Sequence, residues 1–274
     1  MAEKTPLIVE LAEWFQTPPG QYVLAWEQAR FDAIVTDVFG YYAWQVGLVD
    51  MNLLQANRMP FKGWVGTIPP DLQQAAGWQG CVVARPEALP FESQSVDLLV
   101  LPHAFECTDV PHDVLREVER VLVPEGRVVI SGFNPWSLWG ARNCTPGMEP
   151  WLPLPASAQV SLPRLKDWLK LMSFDVGAAD FGCYAPPCQT EKWLQRWHFM
   201  ETCGRKWWGM GGAVYVVTAV KRVAGMRLVG KPWKTARRRR RPRAAVVVNR
   251  QGAGNIQDMC ALHDTTRFRN DAND

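Results

Sequence analysis

A histidine and a glutamate follow one of the predicted buried strands of the chain. His103 and Glu106 come after residues 96–101, a run without regular apolar–polar alternation that predicts a strand covered on both faces. Ligands of open α/β sheets bind outside the carboxyl ends of the strands. The unperturbed pKa of histidine lies near neutrality, so His103 is a candidate general base. Glu106 is a second candidate at the same place.

A glycine stands at the end of another predicted strand, residues 42–47. Gly47 would let the backbone approach a ligand closely, although a lone glycine after a strand is also an ordinary turn. Thr67 ends the next predicted strand, residues 62–68, and could donate a weak hydrogen bond at the same edge of the sheet. Both interpretations of Gly47 remain open on this pattern alone.

Predicted strands and helices alternate along the chain. Further strands are predicted at residues 81–84, 96–101, 127–132, 174–181 and 213–221, and helices at residues 22–39, 111–122 and 162–172. This alternation favours a parallel α/β sheet with right-handed crossovers. The last two strands lack a long intervening helix pattern, which indicates an antiparallel edge.

Three motifs between residues 87 and 134 occur together. They are Glu-Ala-Leu-Pro-Phe at 87–91, the apolar strand that follows, and Arg-Val-Leu-Val-Pro-Glu-Gly-Arg at 120–127. Together they resemble the second half of the class I S-adenosylmethionine-dependent methyltransferase family, in its methyltransferase type 11 form. The resemblance covers roughly residues 40–180 and reaches residue 220. It implies a doubly wound, seven-stranded, mostly parallel sheet (a Rossmann-like methyltransferase fold) with an antiparallel last strand.

The resemblance also implies S-adenosyl-L-methionine as cofactor, an unidentified methyl acceptor, and a set of residues that would bind the cofactor. The family motif after the first strand is acid–apolar–Gly–x–Gly–x–Gly. In this chain Gln45 replaces the acid, Gly47 matches the first glycine, and Val49 and Met51 replace the later ones. The implied cofactor groove is lined by Gln45, Gly47, Thr67, Arg85, Glu87, Ala88, Leu101 and Pro102.

Two further departures affect the nucleoside part of the implied site. No acid follows the second strand, where Thr67 stands in place of the ribose-binding carboxylate. Arg85 replaces the adenine-pairing acid, and Pro86 has no N–H to donate. An alternative hypothesis follows: a methyltransferase-like protein that no longer catalyses and serves as a binding or scaffold module.

Charge is distributed unevenly over the 274 residues. The net charge is +3, but residues 1–220 are net acidic and residues 221–274 are strongly basic, with five arginines at 237–241. We predict a methyltransferase-like domain at 1–221, with a core at 40–181, a cap insertion at 182–211 and a last strand at 212–221. Residues 222–274 are predicted to be a disordered basic tail. The tail could contact RNA through residues 231–243 or act only as a solvated appendage.

Tryptophan is abundant, with 14 residues, many of them between 136 and 208. Trp136 and Trp139 could stack on a flat substrate or belong to a packed loop. The insertion could be a lid, a membrane-interface segment or an ordinary cap. Its Cys183, Cys188, His198 and Cys203 lack a Cys-x-x-Cys pair, so no metal site is predicted.

The chain shows no apolar run near the roughly 18 residues of a membrane span. It also lacks the pattern of a signal peptide, a basic segment followed by an apolar one. Seven cysteines at irregular spacing favour reduced thiols. We therefore expect a cytoplasmic protein.

Overall fold

A computed structural model describes residues 7–145, 147, 150–197 and 199–222. The strands are β1 (Tyr42–Val46), β2 (Phe61–Gly66), β3 (Gly80–Val83), β4 (Val96–Pro102), β5 (Leu122–Phe133), β6 (Phe174–Gly182) and β7 (Val214–Lys221). They form one sheet in the order β3-β2-β1-β4-β5-β7-β6. Strands β1 to β5 are parallel, and β7 is antiparallel to both β5 and β6. The predicted doubly wound, seven-stranded sheet is confirmed, with its order reversing between β1 and β4.

The helices are α1 (Leu7–Phe15), α2 (Pro18–Val35), α3 (Leu72–Ala75), α4 (Pro111–Val121), α5 (Leu138–Asn143), α6 (Leu162–Leu171), α7 (Glu191–Arg196) and α8 (Phe199–Trp207). A single 3-10 turn, Ala104–Glu106, follows β4. Helix α2 begins earlier than predicted because Thr17 accepts a hydrogen bond from Gly20 N and Pro18 suits the first helical turn. Helix α1 was not predicted.

The core consists of two layers, one on each face of the sheet. Leu98 and Val100 of β4 pack with α1 and α2, whereas Leu99 and Leu101 pack with α4 and α6. All four side chains are fully buried. Alternate residues of one strand therefore fill opposite layers, which explains why residues 96–101 carry no regular polar alternation.

The predicted tail at 222–274 lies outside the described residues, apart from Arg222, and so does His198. The predicted cap insertion contains α7 and α8. No helix within the described ranges is long and apolar enough to cross a membrane.

Candidate active site

A cleft of about 690 Å³, here called the main cleft, lies at the carboxyl ends of β1, β2 and β4. The loop after β3 and helix α1 close its sides. Among the residues predicted from the sequence, the lining includes Gly47, Thr67, Arg85, Glu87, Ala88, Pro102 and His103. The structure thus brings most of the predicted site together at the point where the strand order reverses.

Two predicted cofactor residues lie elsewhere. Gln45 is fully buried and braces the loop after β1: its Nε2 donates to Leu48 O at 2.6 Å and to Met51 O, and its Oε1 accepts from Leu53 N at 3.0 Å. Leu101 is fully buried in the layer that contains α4. Neither side chain lines the main cleft, because one supports the loop and the other fills the core.

The turn at Gly47 requires a backbone conformation that favours glycine. Gly47 has a φ of 111°, which favours glycine, and its carbonyl accepts from Trp64 Nε1 at 2.8 Å. A Cβ at this position would lie 3.6 Å from Pro102 O and 4.0 Å from Ile8 Cδ1, which are ordinary contact distances. Gly47 itself is buried, and it contributes to the linings of the main cleft and of a neighbouring cavity.

The residues that replace the family's glycines and acid do not fill the main cleft. Met51 is buried in the core layer beneath the loop. Val49 lines a neighbouring cavity, and Arg85 is exposed at the cleft's edge. These substitutions change the chemistry of the lining and preserve the space.

Helix α4 fixes the turn that presents Glu87 and Ala88. Arg120 donates from Nη2 to Leu89 O at 3.0 Å and from Nη1 to Phe91 O at 2.8 Å, while Glu117 Oε2 accepts from Leu89 N at 3.1 Å. The hydrogen bond to Arg120 is the main reason that the pKa of Glu117 is lowered. These contacts explain physically why the Leu-Pro-Phe motif occurs with a Glu-x-x-Arg helix end.

A smaller cavity of about 200 Å³ adjoins the main cleft and is called the Asp50 cavity. The two share Ile8, Gly47, Leu48 and Thr67 in their linings. Asp50 is exposed, and its Oδ1 accepts from Gln74 Nε2 at 2.7 Å. The carboxylate of Asp50 thus lines the same cavity as Thr67, the position where the resemblance places the ribose acid, although it comes from another loop.

Neither Asp50 nor helix α1 was predicted as a part of the site. Asp50 stands where the aligned motif expects a variable residue, so only the folded loop associates it with Thr67. Helix α1 carried a readable signal: Leu7, Leu11 and Phe15 recur every four residues, as on one face of a helix. Its Leu7 and Ile8 line the main cleft.

His103 lies inside a buried cluster of three ionisable groups. Its Nδ1 is 2.7 Å from Glu106 Oε2, and its Nε2 is 3.0 Å from Glu27 Oε1 of α2. All three side chains are buried, and Glu106 Oε1 also accepts from Phe133 N. The cluster joins α2, the 3-10 turn and β5. His103 itself has a left-handed φ of 50°.

This arrangement does not suit the general-base role predicted for His103. Burial alone would lower the pKa of His103, but the facing carboxylates of Glu27 and Glu106 outweigh it and raise the pKa to about 10. Both ring nitrogens face carboxylate oxygens, so the imidazole is held as a cation with no free lone pair. The predicted general-base role therefore does not fit this geometry, in which His103 is paired on both sides within a buried ion cluster.

The paired His103 should make stability depend on pH. A histidine whose pKa is raised on folding stabilises the fold fully below its unfolded pKa of about 6.5, and that stabilisation is lost as pH rises towards the folded value of about 10. We expect urea unfolding to show the free energy of unfolding falling between these limits. The same measurement on His103→Leu isolates this contribution, and an equal fall in both proteins would contradict the assignment.

Cys107, which also lines the main cleft, is not set up as a nucleophile. Burial, with a smaller contribution from Glu106, raises the pKa of its thiol to about 12. Within the described ranges no group of three or more His, Cys, Asp or Glu could hold a metal ion.

The Trp-rich loop after β5 is mainly a packed element. Trp139 is buried and donates to Ala185 O at 2.8 Å, and Asn134 Nδ2 donates to Met210 O and Gly212 O. Trp136, in contrast, is 58% exposed. Of the two tryptophans predicted to stack on a substrate, only Trp136 presents an accessible ring.

Comparison with known proteins agrees with this fold. Residues 69–130, from the segment before α3 into β5, match the family model described as "Methyltransferase domain". The chain is also 45% identical over 103 residues to the uncharacterized protein YafS of Escherichia coli (strain K12). That match spans 37% of this chain and 42% of YafS. It therefore covers less than half of the curated relative's length.

Solved structures share this fold over most of the chain at low sequence identity. A chain of the complex between the Haloferax volcanii Trm112 methyltransferase activator and a methyltransferase has a TM-score of 0.56 at 15% identity, covering 80% of this chain and 99% of its own. A SAM-dependent methyltransferase of Thermotoga maritima also has a TM-score of 0.56, at 14% identity, covering 77% of this chain and 93% of its own. The family match and the fold confirm the resemblance to class I S-adenosylmethionine-dependent methyltransferases.

Proposed function

We propose that this protein is an S-adenosylmethionine-dependent methyltransferase. The observation that carries the proposal is the main cleft, which lies where the strand order reverses and is not filled by Val49, Met51 or Arg85. Its volume of about 690 Å³ is within the usual range for cofactor sites. The residues present therefore fit a nucleoside cofactor in space, and polar groups are available along the lining.

The chain's own residues would divide the binding between them. The turn at Gly47 would take the amino-acid part, and the loop with Glu87 and Ala88 would take the base. Asp50, which lines the same cavity as Thr67, would replace the missing ribose carboxylate. When bound, S-adenosylmethionine supplies an electrophilic methyl group. The protein's part is to align the reactants and, through Leu7 and Ile8 of α1, to exclude water.

Isothermal titration calorimetry of the full chain with S-adenosylmethionine and S-adenosylhomocysteine tests this function. We expect saturable heat with one-to-one stoichiometry for both ligands. Absence of saturable heat at millimolar ligand would contradict the enzyme hypothesis. It would favour the alternative, a methyltransferase-like binding or scaffold module.

Asp50→Asn tests the origin of the ribose contact. Losing one charge-assisted hydrogen bond costs about 1.5–3 kcal/mol, so the affinity for S-adenosylhomocysteine should fall at least about tenfold. Calorimetry on Asp180→Asn is the matched control, since Asp180 is exposed on β6, away from the cleft lining. Equal affinities of Asp50→Asn and wild type would exclude Asp50 from the site.

A further inference from the structure

Helix α8 of the cap insertion packs on the rest of the domain by one face only. Glu201 points inward, where its Oε1 accepts from Tyr184 N at 2.8 Å and from the hydroxyl of Tyr22. Gly204 lies against the ring of Tyr184, since a Cβ at this glycine would clash with the ring. Of the nine described residues of α8, none is buried. The opposite face of the helix is therefore exposed.

That exposed face combines aromatic and basic side chains. Phe199, Lys206 and Trp207 recur at the spacing of one helix face, and Trp207 is 84% exposed. Met210, in the turn after the helix, is also exposed, and Arg205 flanks the same face. These five side chains are here called the cap face. They line neither the main cleft nor the Asp50 cavity, so the proposed cofactor site does not account for them.

The cap face lies at the edge of the sheet that carries the main cleft. Strand β7 begins after the cap insertion at Val214, which pairs with Phe133 at the carboxyl end of β5. The Nδ2 of Asn134 donates to Met210 O at 2.7 Å, which holds the turn after α8 at this edge. Trp136 of the same loop adds a further exposed ring. A partner that covers the cap face would therefore approach the molecule from the edge that carries the cleft.

The composition of the cap face matches an anionic membrane surface. Residues 1–220 are net acidic, yet the exposed charged side chains of α8 are Arg205 and Lys206, because Glu201 is turned inward. Aromatic rings enter the boundary between lipid headgroups and acyl chains, while neighbouring Lys and Arg attract anionic headgroups. Protein interfaces are generally depleted in lysine, so a protein partner fits this set of residues less well.

We propose that the cap face docks the protein reversibly on an anionic membrane surface. Phe199, Trp207 and Met210 enter the headgroup region. Arg205 and Lys206 contact the anionic headgroups. Docking of this kind turns the edge with the main cleft towards the membrane. The inference goes beyond the proposed methyltransferase function and does not depend on it.

Flotation of the full chain with lipid vesicles tests the docking. Vesicles of equal parts phosphatidylcholine and phosphatidylglycerol are compared with vesicles of phosphatidylcholine alone. We expect the protein to float with the anionic vesicles and to bind the neutral ones at least about tenfold more weakly, since two cations lose their partners. Binding should also weaken as the salt concentration rises. Absence of binding to the anionic vesicles would overturn the proposal.

Paired variants of the full chain separate the cap face from the basic residues at 222–274, which all variants retain. Phe199→Ser with Trp207→Ser should weaken binding to anionic vesicles at least about tenfold, because two inserted rings are removed. Arg205→Gln with Lys206→Gln should weaken it roughly 25-fold, or about fivefold for each charge. These positions are exposed, so the melting temperature and the affinity for S-adenosylhomocysteine should change little.

Leu171→Ser with Lys170→Gln is the matched control. Leu171 is 80% exposed at the end of α6, beside a lysine. The strand that follows, β6, begins at Phe174, which pairs with Lys221 at the end of β7. This pair therefore lies at the opposite edge of the sheet and should bind vesicles like the wild type. If both cap-face variants bind as tightly as the wild type, the lipid is bound by residues 222–274 or by another surface, and the proposal is wrong.

Sedimentation equilibrium without lipid tests a second copy of the chain as the occupant of the cap face. We expect no self-association through this surface. A dimer that Phe199→Ser with Trp207→Ser dissociates would show that another copy covers the cap face, and would overturn the membrane assignment. Failure to bind S-adenosylhomocysteine would contradict the proposed function alone, because vesicle binding does not require the cofactor site.

Discussion

Replacing His103 by leucine should lower the free energy of unfolding by about 3–5 kcal/mol, the range for breaking a buried ion pair. The side chain is enclosed between two buried carboxylates, with distances of 2.7 Å to Glu106 and 3.0 Å to Glu27. Without the imidazolium, these carboxylates face each other with no cation between them. The decrease in the free energy of unfolding includes the lost hydrogen bonds and the cost of burying negative charge without a partner.

Urea or thermal unfolding of the full chain measures this effect. His112→Leu is the matched control, because His112 is exposed on α4 and contacts only the edge of Trp168 among the aromatic rings described. Glu27→Gln should lower the free energy of unfolding by less than His103→Leu does, because the ion pair between His103 and Glu106, which has no net charge, remains. If His103→Leu is as stable as the wild type and only its turnover falls, the result would favour the general-base role of His103 that the sequence predicted.

Restoring the family's acid at position 45 should destabilise the protein. Gln45→Glu replaces an amide that donates to two carbonyl oxygens, those of Leu48 and Met51, with a buried carboxylate that cannot donate. We expect a loss of about 3–5 kcal/mol at neutral pH, the cost of an unpaired buried charge beside lost hydrogen bonds. The loss should diminish at acidic pH, because the protonated acid regains one donor.

Chemical denaturation across pH tests this prediction, with calorimetry for the cofactor site. The loop that Gln45 supports also carries Gly47, so the affinity for S-adenosylhomocysteine should fall together with stability. Gln94→Glu makes the same change at an exposed position and should have little effect. Tighter binding of S-adenosylhomocysteine by Gln45→Glu would show that the side chain faces the cofactor, contrary to its observed hydrogen bonds.

At positions 45 and 103, comparison of sequences does not reveal which groups the side chain contacts. Gln45 aligns with a ligand-binding acid, yet its side chain forms hydrogen bonds with Leu48 and Leu53 of the loop beneath the site. His103 stands at the strand end where catalytic groups occur, yet Glu27, 76 positions away, makes it part of a buried ion cluster. In both cases the deciding partner is a group whose proximity depends on how the chain folds back.

The positions of strands and helices, by contrast, followed from local patterns. The absence of regular apolar–polar alternation in residues 96–101 predicted a strand buried on both faces, and the motifs at 87–91 and 120–127 gave the resemblance to a turn, helix and strand around it. These features are readable because they come from short-range periodicity and turn chemistry. The missed helix α1 was readable in the same way.

The amino-acid sequence alone determined the class of fold, the edge of the sheet that carries the site, and most of the residues at that edge. Only the tertiary structure decided which of those side chains remain free, because hydrogen-bond pairing and burial depend on how each loop folds and on which segments pack against it. It assigned Gln45 to its own loop and His103 to an ion cluster with α2, and it placed Asp50 and Thr67 in the lining of one cavity.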